Sequence, residues 1–270
     1  MARLRGEVVV EALAQHWFEG YVRALLDRAE DLTLDDDGWI QGDEDLADVT
    51  LVEGEHLTPG ARYQRHVGPV DGEAGDGTTS ELALTSWERR GEVSATITTW
   101  HPGDDRTTWT VKLRDPDALE SVVAGGTHHA AKRSQRLSWA MEFDCRRWWR
   151  QVEGGAPARG RAPVMVLLRH PFGQGRLLVR PAATDGGKWR LVLTLDARGR
   201  GWVRPLAAIV LPFVRRTLEA KFRELIAETA EDWNKQIAEL REFDPREADL
   251  WFPRFRGARS ELDRWIEENG

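Results

Sequence analysis

The chain has 270 residues and a mass of 30.6 kDa, with 41% hydrophobic and 31% charged residues, which excludes collagenous and wholly disordered classes and allows a sizeable core. Its 38 Lys+Arg against 45 Asp+Glu leave a formal charge of -7, so nucleic acid is not an expected partner. The longest apolar run, 205–214, is broken by Pro212 and falls well short of the ~20 residues that cross a bilayer, so no stable membrane insertion is expected. The single cysteine, Cys145, cannot form an intramolecular disulfide, and the opening MARLRGEVVVEA lacks the apolar core of a signal peptide, so the expected location is cytoplasmic.

The first element, LRGEVVVE over 4–11, alternates as a strand, and 13–34 carries Trp17, Tyr21, Leu25 and Leu32 near helical spacing. An acidic, glycine-containing break over 35–45 follows, then strands beginning near Leu46 and Thr58, and a Gly/Pro/Asp/Glu stretch over 68–79 that reads as an exposed loop. SELALTSWERR, EVSATITTWHP and RTTWTVKLRDP predict an antiparallel meander. From Ala130 to Glu153, Leu137, Met141, Cys145 and Trp148 share one side of a predicted helix. The linker-like GGAPARGRA then leads to three more strands, APVMVLLRHP, GRLLVRPAA and KWRLVLTLDA. A long amphipathic helix over 202–243 steps through Val214, Leu218, Phe222, Leu225, Thr229, Trp233, Ile237 and Leu240, with a kink or new start expected at Pro212. The tail reads as a strap ending in a short helix from Ser260.

Strand, helix, meander, three further strands and one long C-terminal helix form a layout that resembles the START-like, or SRPBCC, superfamily. The resemblance is carried by GEVVVEA at the start and by KWRLVLTLDARGRGWVRPLAAIVLPFVRRTLEAKFRELIAETAEDWN, which looks like the last strand and closing helix of polyketide-cyclase-like members. It implies an α+β helix-grip fold: a curved antiparallel sheet wrapped around the C-terminal helix, enclosing a deep apolar cavity. The expected organisation is one domain over 1–243, enlarged by an inserted helix at about 127–153, with a C-terminal extension over 244–270. Without the resemblance, the elements describe an α+β chain of two meanders divided near Gly154.

Several chemistries find no support in the pattern. The loop TLDDDGWIQGDE lays its acids partly on a calcium-loop template, but Thr33 occupies the first slot, so a solvated turn is expected there. His101, His128, His129 and His170 lack metal-ligand spacing, Cys145 lies on an apolar helix side, and no GxSxG or dinucleotide-binding glycine pattern occurs. No metal and no cofactor are therefore expected. What stands out is the 13 tryptophans. Alternation points Trp87, Trp100, Trp109, Met165 and Trp189 into a space opposite Phe222, Ile226 and Trp233 of the last helix; any one of these rings is accounted for by packing in a wide aromatic core, while their number favours a ligand cavity. Among neighbouring polar groups, His101, Arg169, His170, Arg180 and Glu224 are candidates to orient a carbonyl or phenol, and the sequence does not select which of them face inward.

The expected partner is a small hydrophobic molecule, polyketide- or lipid-like, with cyclisation or dehydration as the chemistry if the protein is catalytic; a homodimer is compatible with this. The other class of function is a non-enzymatic interaction or regulatory scaffold presenting Trp148-Trp149 and Leu250-Trp251-Phe252 as anchors.

Overall fold

The computed structural model describes residues 2–43, 46–67, 78–101, 105–154, 160–184, 186–201 and 203–240. Residues 68–77 of the loop predicted over 68–79 and the C-terminal extension, with its Leu250-Trp251-Phe252 cluster, lie outside these residues; Thr78 and Thr79 of that loop begin a strand instead. So do the side chains of 203–213.

A single eleven-stranded antiparallel sheet dominates the fold. Strands β4 (Val49–Glu53), β5 (Arg62–Val67), β6 (Thr78–Trp87), β7 (Glu92–Trp100), β8 (Arg106–Arg114), β9 (Ser121–His129), β10 (Leu137–Asp144), β11 (Val164–Arg169), β12 (Gly173–Thr184) and β13 (Lys188–Gly199) each pair with the next. Strand β1 (Ala2–Glu11) lies beside β13, so the order is β1-β13-β12 and onward to β4. Helix α1 (Gln15–Asp31) and a two-residue hairpin, β2 (Thr33–Leu34) with β3 (Ile40–Gln41), connect β1 to β4. Helix α2 (Cys145–Glu153) lies between β10 and β11, and helix α3 (Val203–Leu240) follows β13. An antiparallel sheet followed by one long C-terminal helix is therefore present, although strands outweigh helices.

The inserted helix is shorter than expected. Residues 121–129 and 137–144 are strands β9 and β10, a single 3-10 turn spans Arg133–Gln135, and the α-helix is confined to 145–153. Leu137 and Met141 are four residues apart, a spacing that satisfies both a helical stripe and every second position of a strand. In LSWAMEFD the alternation of Leu137, Trp139, Met141 and Phe143 wins, because sheet pairing with β9 and β11 satisfies the backbone on both sides. The helix starts where Asp144 accepts the amide of Arg147 at 2.8 Å, an N-cap.

Residues directly opposite in an antiparallel pair share a face, so the register sorts the sheet into two faces. On one face, Val10, Trp189, Val93 and the partly buried Val179, Val164, Phe143, Val122 and Leu113 form the core with Val22 and Leu26 of α1 and Trp148 and Trp149 of α2. Trp189 meets Trp148 at 5.2 Å and Trp149 at 5.6 Å between ring centroids. Trp148 and Trp149 are thus buried, not the exposed anchors the scaffold reading required. Their Nε1 groups and Gln151 Nε2 are buried donors without a hydrogen-bond partner among the described residues.

Helix α3 packs on the same face over β1 and β13. Phe222 and Ile226 press on Leu4, Leu193 and Leu195. Gly6 is what lets the helix approach: a Cβ there would fall 2.2 Å from Ile226 Cδ1. Lower down, Trp233 Nε1 donates to the Glu11 carbonyl at 2.9 Å and Glu11 N donates to Asn234 Oδ1 at 2.7 Å. The buried stripe runs Phe222, Ile226, Ala230, Ile237, Leu240, whereas Leu225 turns out to solvent at 60% exposure, one position off the predicted stripe. Helix α3 continues through Pro212 as one element.

Candidate functional site

The helix-bearing face is sealed only in part. Along each strand, the layer that includes Val164, Phe143, Val122 and Leu113 lies under α1 and α2. Two residues further, Met141 and Val111 share the face, and beyond them come Leu168, Trp139, Gly126, Trp109 and Ile97. Here apolar side chains meet solvent, with Val111 38% and Leu168 41% exposed and Trp109 and Trp139 half-buried.

The two tryptophans sit on β8 and β10, both directly opposite Gly126 of the intervening β9. Alternate strands lie about 9.6 Å apart, too far for side chains standing perpendicular to the sheet to stack. Because Gly126 has no side chain, the rings lean across it and meet edge to face, 5.3 Å between centroids at 69°. A Cβ at Gly126 would fall 2.7 Å from Trp139 Nε1 and 3.0 Å from its Cε2. The glycine and the indole pair are one structural unit.

One layer further, about 7 Å along the strands, the same face becomes polar. Thr107 Oγ1 lies 3.2 Å from His101 Nε2 and 3.1 Å from His128 Nδ1, and Ser80 Oγ lies 3.1 Å from Thr99 Oγ1. The open part of this face is therefore amphipathic, with an aromatic and aliphatic floor and a hydrogen-bonded hydroxyl and imidazole rim.

The residues singled out from the sequence are distributed as follows. Trp109 lies on the open floor. Trp87 is on the same face, packed at the edge of the core with its Nε1 donating to Glu30 of α1 at 3.0 Å. Trp189 is buried among Trp148 and Trp149, and Trp233 packs against that cluster. Phe222 and Ile226 are buried against β1 and β13. Register puts Met165, opposite Leu178 and Glu142, and Trp100, opposite Arg106, on the face that carries no helix. The eight residues therefore do not converge on one cavity. Alternation along β7 and β11, whose pairings with β8, β10 and β12 carry no register shift, keeps Trp100 and Met165 on that face.

Of the polar candidates, His101 belongs to the rim. Arg169 and Arg180 belong to the helix-free face, Glu224 is exposed on α3, and His170 binds the Ser134 carbonyl at 2.7 Å. In the acidic hairpin, Asp35 Oδ1 accepts the amides of Asp37 and Trp39, and Gly38 holds φ +86. Cys145 is buried, and desolvation foremost, with Asp144 adding to it, pushes its thiol up to about 12.

Sequence reading missed Trp139, Gly126, Thr107 and His128 as members of one site. The signal was available: two consecutive glycines inside a strand pattern mark a close approach, and Trp139 alternates with Leu137 and Met141. Among the described residues no three His, Cys, Asp or Glu side chains are grouped to hold a metal, and no helix is long and apolar enough to cross a membrane. No protein-family model, curated protein or solved structure matches this chain.

Proposed function

We propose that the protein binds a small apolar or aromatic molecule, polyketide- or lipid-like, on the helix-bearing face of its sheet. The ligand body lies over Trp109 and Trp139 and its polar end meets His128, Thr107 and His101. The observation that carries this reading is the edge-to-face indole pair held across Gly126 beside exposed Val111 and Leu168. Apolar floors with a few convergent polar groups are the usual chemistry of small-molecule sites. A ligand carbonyl at the rim accepts a hydrogen bond there, the position from which a cyclising or dehydrating step draws a proton.

Support for the START-like resemblance comes from β1 lying beside β13 and from α3 returning over both strands. The cavity belongs over β8–β11 in this proposal and not beneath Phe222 and Ile226, whose side chains are already packed. The test is titration with the neutral fluorophore N-phenyl-1-naphthylamine while following tryptophan emission. Saturable one-to-one uptake that weakens about tenfold in Trp109→Ala supports the reading, since a ring contact contributes ~0.5–1.5 kcal/mol beyond its buried area. Absence of saturable uptake, or full uptake by Trp109→Ala, refutes it.

A further inference from the structure

We propose that the opposite, helix-free face carries a second site, which binds a phosphate-type anion. A cavity of about 530 Å³ lies over β11, β12 and β13, and its lining includes Arg169, Arg176, Arg198 and Arg200 against one acid, Asp196. Several arginines elsewhere are neutralised locally: Arg28 pairs with Asp43, Arg65 with Asp48, and Arg89 with Asp27, Glu30 and Asp117. In this cavity the balance is reversed, although the whole chain carries a formal charge of -7.

Asp196 does not neutralise the cluster. Its carboxylate already takes Arg3 at 2.7 Å and Arg176 at 3.0 Å. Gln174, with its amide oxygen turned toward Arg198, accepts from both Nε and Nη2 at 2.6 Å, which orients that guanidinium without cancelling its charge. No carboxylate among the described residues pairs with Arg169, Arg198 or Arg200. Register explains the grouping: Arg169 is opposite Gln174, which is opposite Arg198, so the two arginines flank one neutral side chain across three strands.

An anion with several acceptor oxygens can bridge guanidinium groups that have no carboxylate partner, and forked guanidinium donors match phosphate geometry. Leu167 and Arg169 also line a second hollow of about 340 Å³, with Thr108, Thr110, Thr127 and Ser138. A phosphate head held by the arginines would therefore extend a neutral, hydrogen-bonding body over the hydroxyls.

The test is calorimetric titration with inorganic pyrophosphate on wild type, on Arg169→Gln/Arg200→Gln, and on Arg90→Gln, an exposed arginine outside the cavity. Expected are one-to-one binding that weakens with added salt, at least about tenfold loss in the double variant, and no change in Arg90→Gln. A parallel arm uses phosphatidylcholine vesicles with and without phosphatidate. Vesicle binding that needs phosphatidate and is lost in the double variant keeps the site and assigns its phosphate to a headgroup, whereas pyrophosphate binding without vesicle binding assigns it to a soluble molecule. No saturable binding of pyrophosphate or of phosphatidate-containing vesicles, or a loss in Arg90→Gln equal to that of the double variant, overturns the proposal.

Discussion

Replacing Gly126 by alanine tests the aromatic floor at its most sensitive point. The added methyl would lie 2.7 Å from Trp139 Nε1, so the ring must retreat by about 0.7 Å to reach ordinary contact, and the Thr108 carbonyl at 3.3 Å limits how far the methyl can yield. Trp139 is half-buried and free to move outward, so the strain is relieved by tilting the indole and not by opening the sheet. The edge-to-face pair with Trp109 is then lost or loosened, forfeiting ~0.5–1.5 kcal/mol of ring contact. Global stability should change little, because Gly→Ala in a strand recovers about 0.5–1 kcal/mol by restricting the unfolded chain, which offsets the steric cost. Near-UV circular dichroism should report the lost Trp109–Trp139 coupling, urea unfolding should show a midpoint close to wild type, and N-phenyl-1-naphthylamine affinity should fall about tenfold. A variant with wild-type near-UV signal and wild-type affinity would refute both the placement of the rings and the site built on them.

Three further outcomes test the frame that holds this floor. Gly6→Ala places a methyl against Ile226 Cδ1 and should destabilise by about 1–3 kcal/mol of overpacking, while Ile226→Val removes that atom, so the double variant should be more stable than the sum of the single changes; strict additivity in urea melts would show that α3 does not press on β1. Asp196 lies below its ordinary carboxylate range, chiefly through the Arg3 hydrogen bond and then that of Arg176, so its contribution to stability is full above the unfolded value and is lost as pH falls through the lower folded one. Asp196→Asn should accordingly flatten the decline of the urea midpoint below about pH 4, and an unchanged acid limb would contradict the pairing. Cys145 should react with a disulfide reagent at about pH 8 on the order of a hundredfold or more slower in the native protein than in urea, since burial suppresses its thiolate; fast native labelling would place it at the surface.

Periodicity alone located most strands. GEVVVE, EVSATITTW, RTTWTVKLR and KWRLVLTLDA place apolar side chains at every second position, on the helix-bearing face, with mostly polar ones between them. It failed at 137–144, where Leu137 and Met141 fit two periods at once, and the error removed Trp139 from the candidate site. On α3 the stripe was displaced at Leu225, since a helix several turns long offers adjacent apolar positions and only the contact with β1 and β13 selects Phe222, Ile226 and Ala230.

Local sequence thus determined the antiparallel strands, the long terminal helix, the buried character of Cys145 and the wealth of indole rings, because each follows from side-chain type and short-range spacing. Tertiary structure alone decided which rings meet. Trp109 and Trp139 are brought together by pairing across β9 over a residue without a side chain, while Trp189 is committed to packing by α2. The same register gathers Arg169, Arg176 and Arg198 from three successive strands onto one face. Strand alignment is a long-range property set by the whole meander, so neither a contact across a glycine nor a cluster of charges across a sheet can be read from neighbours along the chain.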